Sequence, residues 1–306
     1  IRIVVVAFIM ARTGILKLSL DKPVLQQQLS FVIPLGISGS LHHASQYIGQ
    51  IAISVHLGVV ALAIYTIANY QVPILNIVRG AIGDSIFPEM VRQAADETGD
   101  RLGLWKRANI AYTSLIIPFF AIVTWYADLL IPWIFTDEYS DAVPLFRILA
   151  VVMVIQCFEF SSPLRAIRKT TFLLLGNILM LATNVALIFL FFRYFSDVAI
   201  FGPAVGIICG YIVQLVFFGW CIMYFYDVPV RLLLKWRSLA LIGLCTLAAC
   251  LPLLAGEFVT LNEFIRVPIF SFLSVAVYLT TIRYFRLEEV ETVIEAVTSK
   301  LRHNAG

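Results

Sequence analysis

Residues 31–58 read FVIPLGISGSLHHASQYIGQIAISVHLG, and residues 59–90 read VVALAIYTIANYQVPILNIVRGAIGDSIFPEM. In the first stretch Gly39, His42 or His43, Gln46 and Gln50 recur at three- and four-residue intervals, which puts them on one face of a helix. Lipid does not tolerate such a face. The second stretch repeats the pattern with Tyr65, Asn69, Pro73 and Asn76, so two polar stripes are expected to look into a shared interior or cavity.

The composition around these stretches is that of a membrane protein. Of 306 residues 60% are hydrophobic and 13% charged, with a mean hydropathy of +0.92, against about 25% charged in an ordinary soluble domain. Residues 1–10 are apolar but too short to span a bilayer, and no small-residue cleavage site follows them. They are expected to be the trailing end of a helix that begins upstream, and the chain to be a fragment. The five cysteines, Cys157, Cys209, Cys221, Cys245 and Cys250, all fall inside apolar stretches, which suits buried thiols rather than disulfides or a metal site.

Taken in order, the chain predicts an all-α, polytopic membrane helix bundle with about eight complete transmembrane helices. A polar linker over residues 11–29 precedes spans near 30–53, 59–78, 109–126, 143–160, 171–192, 200–224, 239–254 and 267–284. Basic residues alternate between the loops. The segments assigned to the inside hold 18 of the 22 Lys and Arg residues, whereas the outer ends hold only Arg147, Arg193 and Arg266. By the positive-inside rule both ends of the segment are expected in the cytoplasm. The tail from 285 spaces Val290, Val293, Ile294 and Val297 as a short amphipathic helix or a solvated end.

Several polar positions invite a role. His42 and His43 point about 100° apart on a helix, which disfavours a shared metal ion. A titrating histidine coupled to a conformational change and a hydrogen-bonded interior histidine are the other two readings. Glu159, the carboxylate deepest within a span, is expected to pair with Arg165. Arg147 and Arg79 sit near span ends, where they can snorkel or meet an anionic head group. Asn177 and Asn184 share a face seven residues apart, and Gly202, Gly206 and Gly210 repeat a spacing that permits close helix approach. Pro34 and Pro73 interrupt the first two spans, as suits helices that bend beside a polar face. No phosphate loop, zinc-ligand set, nucleophile elbow or nucleotide fingerprint is present, so no catalytic residue, metal or cofactor is expected. The acidic DEYSD turn is the one stretch with the carboxylates an assembly enzyme needs, and its loop is short.

The runs FVIPLGISGSL, ALAIYTIANYQVPILNIVRGAIGDSIFPEM, DEYSDAVPLFRILAVV and FGPAVGIICGYIVQ, in this order and separation, resemble the C-terminal half of bacterial polysaccharide flippases. These are the O-antigen and exopolysaccharide transporters of the multidrug/oligosaccharidyl-lipid/polysaccharide exporter superfamily. The resemblance implies a six-helix lobe over 30–226, two additional helices over 227–284, a cytoplasmic tail over 285–306 and, over 1–29, the end of a preceding helix with its linker. It implies a substrate of polyprenyl-diphosphate-linked oligosaccharide for cell-surface polysaccharide, moved across the bacterial cytoplasmic membrane by alternating access. Membrane lipid, a missing N-terminal lobe, a polysaccharide polymerase and glycosyltransferases are the expected partners, and nucleic acid is not. His42, His43, Gln46, Gln50, Tyr65, Asn69, Asn76, Arg79 and Arg147 are the expected substrate-cavity residues. A lipid II flippase, a multidrug exporter and, more remotely, a membrane polysaccharide-assembly enzyme are the alternatives.

Overall fold

A computed structural model of the chain describes residues 21–70, 80, 83, 86–93 and 100–285. Every regular element among them is a helix. In order these are α1 (Lys22–His56), α2 (Gly58–Ala68), α3 (Gly103–Trp125), α4 (Ala127–Ile134), α5 (Ala142–Ile155), α6 (Ser161–Ala166), α7 (Thr170–Tyr194), α8 (Gly202–Tyr226), α9 (Val230–Leu233), α10 (Trp236–Glu257) and α11 (Glu263–Tyr284). Short 3₁₀ turns at Asp137–Tyr139 and Ser196–Phe201 lead into α5 and α8.

Among the described residues five helical stretches are long and apolar enough to cross a membrane: α3, Ser196–Tyr226, α7, α10 and α11. This makes the chain a multi-pass membrane protein. These stretches account for five of the eight expected spans; the other three, near 30–53, 59–78 and 143–160, hold helix in their described residues without meeting that standard. α1 is 35 residues long, starts at Lys22 rather than 30, and has its hydropathy lowered by Gln26 to Gln28 and by the His and Gln of its polar stripe. Pro23 in its first turn explains the early start, since a residue without an N–H costs nothing there. The described part of the second span is the 11-residue α2. The fourth span stops at Ile155 instead of 160, so α5 has 14 residues and reaches about 21 Å, short of a core about 30 Å thick. Asn76, Arg79, Pro73 and the tail lie outside the described residues.

Helix directions follow from which residues meet. Gly58, at φ +86°, turns the chain so that α2 folds back along α1, and Tyr65 comes against Gly49. α1 and α7 run parallel, because Ser38 meets Asn177 and Ser45 meets Asn184. α7 and α8 run antiparallel, with Asn177 beside Gln214 and Met180 beside Gly210. α11 runs against both α10 and α3, through Ser274 to the Ala249 carbonyl (2.6 Å) and Tyr278 to the Ser114 carbonyl (2.7 Å).

The tightest seam is α7 against α8. A Cβ on Gly206 would fall 2.5 Å from Asn184 Oδ1, and one on Gly210 would fall 2.8 Å from the Met180 carbonyl oxygen. Small residues thus let the two backbones approach, as their spacing suggested. Asn177 donates to Ser38 Oγ (2.7 Å), and Asn184 to the Ser45 carbonyl (2.9 Å), so both asparagines bind helices together. Away from these seams large apolar side chains stay open, among them Phe189, Val216, Leu247 and Phe272. Such surface is the ordinary exterior of a helix bundle in lipid.

Candidate functional site

The polar groups converge on a cavity of about 460 Å³ walled by α1, α3, α6, α7, α8, the unwound segment 156–160 between α5 and α6, and residues 80, 83, 86 and 87. The unwinding has a local cause. Pro163 has no N–H for the carbonyl of Glu159, and a proline ring crowds the carbonyl four residues before it, so regular helix is disfavoured here. In the first turn of α6 the same proline is tolerated.

The carbonyls freed by the break are taken by α3. Trp105 Nε1 donates to the Glu159 carbonyl (2.6 Å). Asn109, with its amide turned so that both ends are satisfied, donates to the Cys157 carbonyl (3.2 Å) and accepts from Trp105 Nε1 (3.1 Å). Both side chains are buried and both line the cavity. Irregular backbone within a helix bundle is tolerated where it is buried in protein or lines a cavity, and here it does both.

Tyr211 of α8 anchors the opposite wall. Its hydroxyl oxygen accepts from Gln46 Nε2 and from Gln156 Nε2, the latter at 2.9 Å, so one phenol joins α1, the break and α8. The ring also stands edge-on to His42, with centroids 5.9 Å apart. Gln214, a turn further on, donates to Asn177 Oδ1 (2.9 Å). The wall therefore offers amides, hydroxyls and imidazoles, a set that pairs with hydroxyl-bearing ligands.

The expected site residues divide. His42 and His43 line the cavity, their rings 6.0 Å apart, and Gln46 reaches it through Tyr211. Gln50 and Asn69 are half-buried and do not line it; Asn69 ends α2 instead. Tyr65 is a core residue, 1% exposed and packed among Ile53, Ala204 and Ile207. Arg147 faces away from the cavity. Its guanidinium pairs with Asp128 (2.5 Å) and bonds the Thr124 carbonyl (3.1 Å), which ties α5 to the end of α3.

The Glu159–Arg165 pair does not form. Glu159 instead accepts from Ser161 Oγ and from the Ser162 N–H (3.1 Å), because the break turns its carboxylate onto the start of α6. Arg165 lies over the ring of Phe87, 4.6 Å from its centroid. Both side chains nevertheless line the same cavity. Tyr211, Gln156, Trp105, Asn109 and Gln214 were not anticipated. The Ser-Ser-Pro run at 161–163 is the one local signal that announces the break. Among the described residues no group of three or more His, Cys, Asp or Glu is placed to hold a metal ion.

Residues 1–144, which carry α1 to α4, match the model of a family described as polysaccharide biosynthesis protein. No curated protein and no solved structure matches the chain. The family match covers the His42–His43 and Trp105–Asn109 walls of the cavity and supports a family of the polysaccharide flippase type for this chain.

Proposed function

We propose that the chain forms one lobe of a transporter that carries polyprenyl-diphosphate-linked oligosaccharide across the bacterial cytoplasmic membrane by alternating access. The observation that carries this reading is a cavity with hydrogen-bonding groups in its wall among long apolar helices, bounded by a broken helix. Its volume of about 460 Å³ lies in the range of ligand-binding pockets. Discontinuous helices at membrane depth are how transporters bring polar backbone to a substrate. The amides and hydroxyls of the lining can pair with sugar hydroxyls. The family description points the same way.

In this reading the chain acts without covalent chemistry and crosses the membrane eight times, with both ends of the segment cytoplasmic. The helix directions support that alternation, since α1, α3, α7 and α10 fall in one set and α8 and α11 in the other. A second lobe completes the cavity, and the enzymes that build and polymerise the oligosaccharide are the neighbours in the process. Depleting the gene product in its native cells tests this. Lipid-linked oligosaccharide should accumulate on the cytoplasmic leaflet while surface polysaccharide falls; unchanged amounts of both refute it.

A further inference from the structure

Arg165 and Glu159 lie six positions apart and line one cavity, yet neither is in an ion pair with any described residue. Inside a membrane protein that arrangement is costly unless something else meets the charges. The sequence offered the obvious solution, a pair between the two, and the fold declines it by unwinding at the break.

Each side chain is held in place while remaining available. The Ser161 hydroxyl and the Ser162 N–H fix the Glu159 carboxylate, which has further lone pairs to accept other donors. The Arg165 guanidinium carbon lies over the Phe87 ring, 4.6 Å from its centroid, and the buried Nε has no hydrogen-bond partner. A cation–π contact uses none of the guanidinium's hydrogen-bond donors, and the side chain lines the cavity, where a planar or tetrahedral oxyanion can meet its N–H groups. No other Lys or Arg lines this cavity among the described residues.

We propose that Arg165 and Glu159 are a two-point subsite for a glycosyl phosphate junction: Arg165 binds the phosphate oxygens and Glu159 accepts hydrogen bonds from hydroxyls of the adjoining sugar. This rests on the transporter reading above and deepens it by assigning the two ends of the recognised group. A carboxylate on an acidic sugar shares the anion chemistry, and the experiment separates the two sources.

The test uses the full-length protein in nanodiscs of zwitterionic lipid, with geranyl diphosphate, glucose 1-phosphate and glucuronate as probes in equilibrium binding. Geranyl diphosphate and glucose 1-phosphate should bind. Arg165→Gln should weaken both by about tenfold or more, and Arg165→Lys, which keeps the charge but not the fork, by about threefold. Glu159→Gln should weaken glucose 1-phosphate while leaving geranyl diphosphate unchanged. Equal binding by the wild type and Arg165→Gln overturns the proposal. Glucuronate bound through Arg165, with no binding of geranyl diphosphate, also overturns it by moving the anion from the linkage to the sugar. Should the variants fail to fold, the wild type alone suffices: geranyl diphosphate should protect Arg165 from phenylglyoxal, read by mass spectrometry, and absence of protection refutes the subsite. Binding lost in Arg165→Gln with no translocation by the wild type would refute the transporter reading and keep the subsite. Translocation unaffected by Arg165→Gln would do the reverse.

Discussion

Trp105 does for the Glu159 carbonyl what an amide four residues later would do in an unbroken helix. Replacing it with Phe keeps the ring and removes the donor, so that carbonyl depends on water alone. Trp105→Phe should lower stability by about 0.5–2 kcal/mol, read as an earlier thermal transition in detergent. An unchanged transition would mean the bond contributes nothing. The glycines divide by the same logic. In Gly210→Val the added atoms meet the Met180 backbone oxygen, which cannot swing aside as a side chain could, and a cost of about 1–3 kcal/mol follows. Gly243 in α10 has nothing within 4 Å of a new Cβ, so Gly243→Ala should be neutral or stabilise by about 0.5–1 kcal/mol through helix propensity. Melting the two variants side by side checks both expectations. At this scale Asn177, Asn184 and the glycine row were legible, because a spacing of seven or four fixes a shared face before any partner is known. The roles of Tyr65 and Arg147 were not. Each looks polar or charged in one dimension, and only packing puts one among Ile53 and Ala204 and the other against Asp128.

Among the elements, the break between α5 and α6 and the α10–α11 hairpin stand on opposite sides of α3. One face of α3 presents Trp105 and Asn109 to the cavity, while Ser114 and Ile110 meet the hairpin. Tyr278 is the polar link between the two sides. Tyr278→Phe leaves the packing but removes the bond to the Ser114 carbonyl, and should cost about 0.5–1.5 kcal/mol. Hydrogen exchange should then quicken at the amides of α11 first, with α7 and α8 unaffected; uniform quickening would mean that the hairpin is not a separable unit. The helices themselves were legible from hydropathy. Their ends were not, because hydropathy averages over the apolar residues 156–160 that leave the helix after Ile155, and over the Gln run that α1 carries into its first turns. The expected Glu159–Arg165 pair failed for this reason, since it presumed regular helix between them.

For the molecule as a whole, alternating loop charge and helix direction give one consistent layout, which labelling can examine. Single cysteines placed at Asp100 and Asp137, in a background without the five native ones, should react with an impermeant maleimide from opposite sides of the membrane. Reaction from the same side would break the eight-span layout. The class of the fold was legible in the composition, and the His42–His43 wall of the cavity in the polar stripe of α1, but the walls from α3, α8 and the break were not, because their register depends on packing. The central claim is translocation. The most direct measurement reconstitutes the full-length protein in liposomes carrying a polyprenyl-diphosphate-linked oligosaccharide and follows its access to a lectin added on one side. Translocation well above that of empty liposomes, and slowed by Tyr211→Phe, is the predicted result; a folded protein that leaves the rate at the empty-liposome level would contradict it.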